Sequence, residues 1–148
     1  MSKVVEVDDG VRKLLLLMPR LFGRLKRRPV PAGFRSLSLT PRHFSLLSYL
    51  LFDGPLGVTE LAARLEVAPT TVSLMVGELS RRGILERRND EADRRRTIVA
   101  ISEAHRAGAQ DWLALGAQAW RKVLTPLTPD QRRLIIETLE AYERELAH

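Results

Sequence analysis

The sequence predicts a mainly α-helical fold carrying one small β-hairpin. Apolar residues recur at spacings of three and four in six separate stretches, the mark of amphipathic helices. Hydroxyl or proline residues stand where several of those stretches begin. Only residues 84–101 abandon the helical period, for two short β-rich runs joined by turn-forming residues. At 148 residues the chain is long enough for one domain with a proper core.

The first helix is expected over about residues 4–28, with Val11, Leu14, Leu15, Met18, Phe22 and Leu25 on one face. Pro19 falls inside this pattern and is expected to kink or break it, since an interior proline costs roughly 3 kcal/mol. The basic run Arg24–Arg28 suits a helix C-terminus, and residues 28–38 read as a loop. Thr40-Pro41 opens a second helix that buries Leu46, Leu47, Leu50 and Leu51 and stops at Asp53-Gly54-Pro55. Thr59 reads as the cap of a short helix, 60–66, burying Leu61 and Leu65. Val67-Ala68 forms a tight connection, and Pro69 opens a helix reaching about Arg82 that Gly83 ends. Val72, Met75 or Val76, and Leu79 face inward from it.

Ile84–Arg88 and Thr97–Ile101 then read as strands joined by an eight-residue turn. Ser102 caps a long helix to about Leu124, with Trp112, Leu113, Ala119, Trp120 and Val123 along one side and Pro126 after its end. Thr128-Pro129-Asp130-Gln131 is a capping box for a last helix carrying Leu134, Ile135, Thr138, Leu139, Tyr142 and Leu146. A helix, a tight turn, a second helix and a basic hairpin make a winged helix-turn-helix pattern, with residues 87–96 as the wing.

Composition narrows the function classes. Lys and Arg number 24 against 18 Asp and Glu, a net charge of +6 that favours an anionic partner without choosing nucleic acid over a membrane surface. Seven arginines fall within residues 81–96, and that clustering says more than the net charge. The chain has no cysteine, which excludes disulfides, thiolate metal sites and a thiol nucleophile. The longest apolar run, Leu14 to Met18, is too short to cross a bilayer, so a soluble cytoplasmic protein with no membrane partner is expected. His43, His105 and His148 are not spaced as a ligand set, and no cofactor or metal is expected. No nucleophile with a neighbouring base, phosphate-cradling glycine loop or paired-carboxylate site is recognisable, so no enzyme is expected.

From about Leu39 to Gly108 the sequence resembles the MarR (multiple antibiotic resistance regulator) family of bacterial transcription factors. VTELAARLEVAPTTVSLMVGELSRRGIL (58–85) resembles the family's helix-turn-helix stretch without a gap. In the wing, Asp93, Arg95 and Ile101-Ser102 stand where the family has Asp-x-Arg, a strand and Leu-Thr. The resemblance implies a homodimer whose first helix and last two helices dimerise, giving three regions: 1–38, 39–101 and 102–148. It also implies that the helix from Pro69 enters the major groove of double-stranded DNA while the wing, led by Arg95, reaches the neighbouring minor groove. Many members are repressors released by small, often aromatic or phenolic, ligands.

The expected DNA-contacting residues are Thr59, Pro69, Thr70, Thr71, Ser73, Leu74, Arg87, Arg88, Arg94, Arg95 and Arg96. Arg94 and Arg95 suit a narrow groove, where negative potential is concentrated. Arg87, Arg88 and Arg96 suit phosphates, and Asp93 is expected to fix the turn. Phe22, His43, Phe44 and Trp112 are candidates for an effector pocket, although aromatics at helical spacing are more often core. Some positions depart from the family pattern: Ala68 replaces a frequent capping Ser, Leu74 and Glu78 replace frequent basic residues, and His105 replaces a common glycine. Leu74 cannot read guanine but can touch a thymine methyl. The expected function is therefore a sequence-specific, ligand-responsive repressor of a palindromic operator. Its rivals are a winged-helix protein-interaction module and a nonspecific, nucleoid-type DNA binder.

Overall fold

The computed structural model describes residues 4–30, 34–35 and 39–147, and backbone contacts divide the chain into two compact units, Met1–Val30 and Pro31–His148. The first unit is a single helix, α1 (Val7–Lys26). It runs through Pro19 without being divided, because a proline removes one backbone bond and leaves those of the flanking turns in place. Asp8 and Asp9 lie in its first turn and Arg24 and Lys26 in its last, matching the helix dipole at both ends. None of its residues is buried, and Leu14, Leu15, Leu21, Phe22 and Leu25 are exposed.

The second unit contains α2 (Pro41–Asp53), α3 (Val58–Leu65), α4 (Pro69–Arg81), β1 (Leu85–Asn89), β2 (Thr97–Ile101), α5 (Glu103–Leu124) and α6 (Pro129–Leu146). The core lies where α2, α3 and α4 meet the hairpin: Leu46, Leu47, Leu50, Leu61, Ala62, Val72, Met75, Val76, Leu79, Ile84, Leu85, Val99, Ala100 and Ile101 are all buried. On α4 both Met75 and Val76 face inward. Leu65 is only half-buried, so α3 rests on Leu61 and Ala62 instead. Glu66 leaves α3 in the left-handed conformation (φ 55°), and the Val67 N–H returns to the Ala62 carbonyl at 3.1 Å. That tight exit sets the turn between α3 and α4.

The hairpin is antiparallel, with Leu85 opposite Ile101 and Asn89 opposite Thr97. Its first strand lies one residue later than expected, Leu85–Asn89, because Ile84 is taken by the exit from α4: its N–H bonds to the Leu79 carbonyl at 3.0 Å. Gly83, at φ 74°, permits that reversal. Leu56 joins the hairpin through a backbone bridge to Val99, with N–O distances of 2.7 and 3.1 Å. Pinned there, the chain enters α3 early. Gly57 rather than Thr59 is the cap residue, and Thr59 is the second residue of the helix, a correction to the sequence expectation.

Ser102 stands at the cap position of α5, but its hydroxyl donates to the Gly83 carbonyl (2.6 Å) and does not cap the helix backbone. Of the stripe expected along α5, Trp112 and Leu113 are half-buried while Ala119, Trp120 and Val123 are exposed. The stripe on α6 is likewise uncovered: Leu134, Leu139, Tyr142 and Leu146 are exposed. At the start of α6 the Thr128 hydroxyl accepts from the Gln131 N–H (3.2 Å), and the Gln131 side chain accepts from the Thr128 N–H (2.9 Å). Thr128→Ala is expected to cost about 1 kcal/mol, read as a lower urea midpoint with an unchanged denaturant slope.

Candidate nucleic-acid interface

Proline fixes the first turn of α4, and the side of the helix away from the core carries the candidate contacts. Pro69 is its first residue, and Ala68 before it supplies no side-chain cap, as the sequence implied. Thr70 and Ser73 are exposed, and Leu74 is 76% exposed, an unusual position for a leucine on a helix otherwise anchored by its apolar residues. Thr71 differs from these. It is half-buried and lines a cleft of about 470 Å³ with Thr40, Pro41, Arg42, His43 and Met75.

His43 closes one side of that cleft. Its Nδ1 accepts the Thr40 N–H (3.0 Å) and lies 2.8 Å from the Thr40 hydroxyl, completing a capping box at the start of α2. Its Nε2, buried and without a hydrogen bond of good geometry among the described residues, faces the Glu78 carboxylate of α4 at 3.4 Å. Glu78 therefore stands beside α2. His43 does not join the other aromatic candidates. Phe44 and Trp112 meet edge to face with ring centres 5.0 Å apart, and Phe34 packs between Trp112 (5.7 Å) and His105 (5.9 Å). Phe22 lies on α1, in the other unit, and is exposed.

Arg87 and Arg88 are neighbours on β1 and so point to opposite faces of the hairpin. Arg81 of α4 and Arg87 converge beside Gly77: a Cβ there would stand 3.7 Å from Arg81 Nη1 and 4.0 Å from Arg87 Nη2. Arg81 belonged to the arginine cluster but had no role expected from sequence. Nothing in its spacing distinguished it from an ordinary basic residue in a helix's last turn.

Two carboxylates shape the turn. Asp90 Oδ1 accepts the Ala92 N–H (3.0 Å), and Asp93 Oδ1 accepts the Arg95 N–H (3.1 Å). The Asp93 and Arg96 backbones then close the reversal, with Arg96 N–H donating to the Asp93 carbonyl at 3.0 Å. Arg94 and Arg95 are exposed at the tip, and among the described residues neither guanidinium forms an ion pair. Arg96 is different: it pairs with Glu60 of α3 and lies 4.0 Å from Asp90. Of the five arginines expected to meet phosphate or groove, Arg87, Arg88, Arg94 and Arg95 thus form no ion pair among the described residues, while the fifth, Arg96, is already occupied.

Comparison with known proteins agrees with this architecture. A family model described as the MarR family matches residues 37–96. The HTH-type transcriptional repressor MdtR of Bacillus subtilis (strain 168) is 28% identical over 124 residues, covering 84% of this chain and 79% of that protein. A probable transcriptional regulator from Pseudomonas aeruginosa is 26% identical in its crystal structure, with a TM-score of 0.60, covering 93% of this chain and 99% of that one. The crystal structure of S. aureus MepR in its DNA-binding conformation shares the fold, with a TM-score of 0.65 at 15% identity over 92% of this chain and 98% of that one. Among the described residues no helix is long and apolar enough to cross a membrane.

Proposed function

We propose that the chain is a DNA-binding transcriptional regulator of the MarR kind, a homodimeric repressor of a palindromic operator; the family model over residues 37–96 and the 28% identical repressor support this reading. The observation that carries this reading is the pairing of an outward polar face on α4 with an arginine tip on the wing. Thr70, Ser73 and Leu74 are exposed on α4, and Arg94 and Arg95 are exposed on the hairpin that follows it and unpaired among the described residues. In this reading α4 lies in the major groove, with Leu74 against a thymine methyl, and the wing lies in the adjacent minor groove. Thr59, at the start of α3, and Arg81, Arg87 and Arg88 meet phosphates.

Dimerisation is proposed through the apolar stripes left uncovered on α1, α5 and α6, which divides the chain into arms at 1–38 and 102–148 around a DNA-binding domain at 39–101. A two-fold axis would then place the two copies of α4 about 34–36 Å apart on successive major grooves. A small aromatic or phenolic effector would act by favouring a differently spaced dimer. Phe44, Trp112 and the cleft at His43 are the places where it would meet the second unit. No reaction is assigned to the protein, which would act on cytoplasmic DNA. The single outward leucine on α4, with Glu78 in place of a basic residue, supports a second reading as a protein-interaction module.

Fluorescence anisotropy decides between them, using the DNA upstream of the protein's own gene, a scrambled duplex and a salt series. A preference of at least about a hundredfold for the upstream DNA is expected of a sequence-specific regulator. Equal, steeply salt-dependent affinity for both duplexes would leave a charge-driven nonspecific binder. Absence of binding at low salt would favour the interaction module.

A further inference from the structure

We propose that Arg96 is a positioning residue: it latches the base of the wing to the start of α3 and so sets where Arg94 and Arg95 stand relative to α4. The inference rests on the regulator reading above, and it removes Arg96 from the phosphate contacts expected from sequence. Arg96 is the last residue before β2, and its Nη2 pairs with Glu60 Oε1 in the first turn of α3. Its Nη1 lies 4.0 Å from Asp90 Oδ2, at the opposite foot of the turn, where the Asp90 N–H also bonds to the Arg96 carbonyl at 2.9 Å. Both feet of the wing and the first turn of α3 therefore meet at one guanidinium.

The backbone under that guanidinium is built to receive it. A Cβ at Gly57, the cap residue of α3, would stand 3.2 Å from both Nε and Nη2 of Arg96, tighter than ordinary contact. The neighbouring Leu56–Val99 bridge fixes the same junction from inside. With two carboxylates around it, Arg96 has its charge compensated within the protein, unlike Arg94 and Arg95. A half-exposed ion pair adds little to folding stability in water. Its use lies in direction: it restrains the base of a hairpin whose tip must meet a narrow groove.

Glu60 gives the inference a sign that simple electrostatics does not share. An acid beside bound DNA repels phosphate, so neutralising it should tighten binding if it acts only as a charge. If it holds Arg96, neutralising it should weaken binding. The test measures anisotropy on the preferred duplex across a salt series for wild type, Glu60→Gln, Arg96→Gln and the exchanged pair Glu60→Arg/Arg96→Glu. Each is made with and without Arg95→Ala, and thermal melts accompany every variant.

Glu60→Gln and Arg96→Gln are each expected to weaken binding about fivefold, with an unchanged salt slope and little change in melting temperature. The exchanged pair should recover most of the affinity. In the Arg95→Ala background each single change should matter less, because only Arg94 is left at the tip to aim. Tighter binding by Glu60→Gln, or a salt slope flattened by about one unit in Arg96→Gln and additive with Arg95→Ala, would overturn the latch in favour of a direct phosphate contact. Affinity lost only in step with a falling melting temperature would overturn it in favour of a purely structural pair. A wild type with no preference among duplexes fails before any variant is made; that failure belongs to the regulator reading, and the latch falls with it.

Discussion

Phe34→Ala is expected to destabilise the folded chain by about 3–5 kcal/mol, the range for truncating a buried phenylalanine. The ring is 1% exposed, one of the largest fully buried side chains, and it packs against Trp112 and His105. Removing it leaves a cavity beside α5 and loses two aromatic contacts together. Urea unfolding followed by tryptophan fluorescence reads the loss as a lower midpoint. The emission of Trp112 should change in the native baseline as well, because its neighbour is gone. Phe34→Leu, which keeps most of the volume, should recover a good part of the difference. A midpoint within error of wild type would mean that the segment carrying Phe34 contributes nothing to the fold.

The second large effect falls on binding alone. Replacing Arg94 and Arg95 together by alanine is expected to weaken the preferred duplex by on the order of tenfold to a hundredfold, the scale of losing charge-assisted hydrogen bonds at a desolvated contact. Both side chains are exposed at the wing tip and unpaired among the described residues, so their removal should leave the melting temperature where it is. The loss should be greatest for duplexes with a narrow minor groove under the wing, since such grooves hold the strongest negative potential. Anisotropy on two duplexes that differ only in an A-tract at that position measures this directly. An equal loss on both would assign the two arginines to general phosphate attraction.

Most of the fold was legible because local signals agreed with one another. The period of Val72, Met75, Val76 and Leu79, the proline at 69 and the glycine at 83 all describe the same helix, and the structure has it at Pro69–Arg81. The capping box at Thr128 was equally plain, since a cap and its partner lie three residues apart in sequence. What escaped depends on contacts far along the chain. Phe34 sits in a stretch without periodicity, and nothing local marks it as core. Thr59 looked like a cap until the bridge between Leu56 and Val99 moved the helix start forward.

The candidate site divides along the same line. The cluster of arginines and the outward residues of α4 could be read from composition and helical spacing. The separate position of Arg96 could not, because a loop arginine next to Glu60 in space is indistinguishable in sequence from one next to water. His43 and Phe44 are adjacent in sequence and point to different neighbours, one to Glu78 and the other to Trp112. Helical geometry separates adjacent residues by about a quarter turn, which turns these two toward different neighbours.

The pairing of the hairpin has a consequence for the protein when no DNA is present. β2 is flanked by β1 on one side and by the Leu56 bridge on the other, whereas among the described residues β1 pairs only with β2. Its outer edge therefore offers free backbone donors and acceptors to any passing strand, including the same edge of another molecule. Glu86, Arg87, Arg88 and Asn89 are all exposed along it. Charged side chains on an open edge discourage such pairing between chains. Charge along β1 therefore disfavours edge-to-edge pairing between the wings of separate molecules.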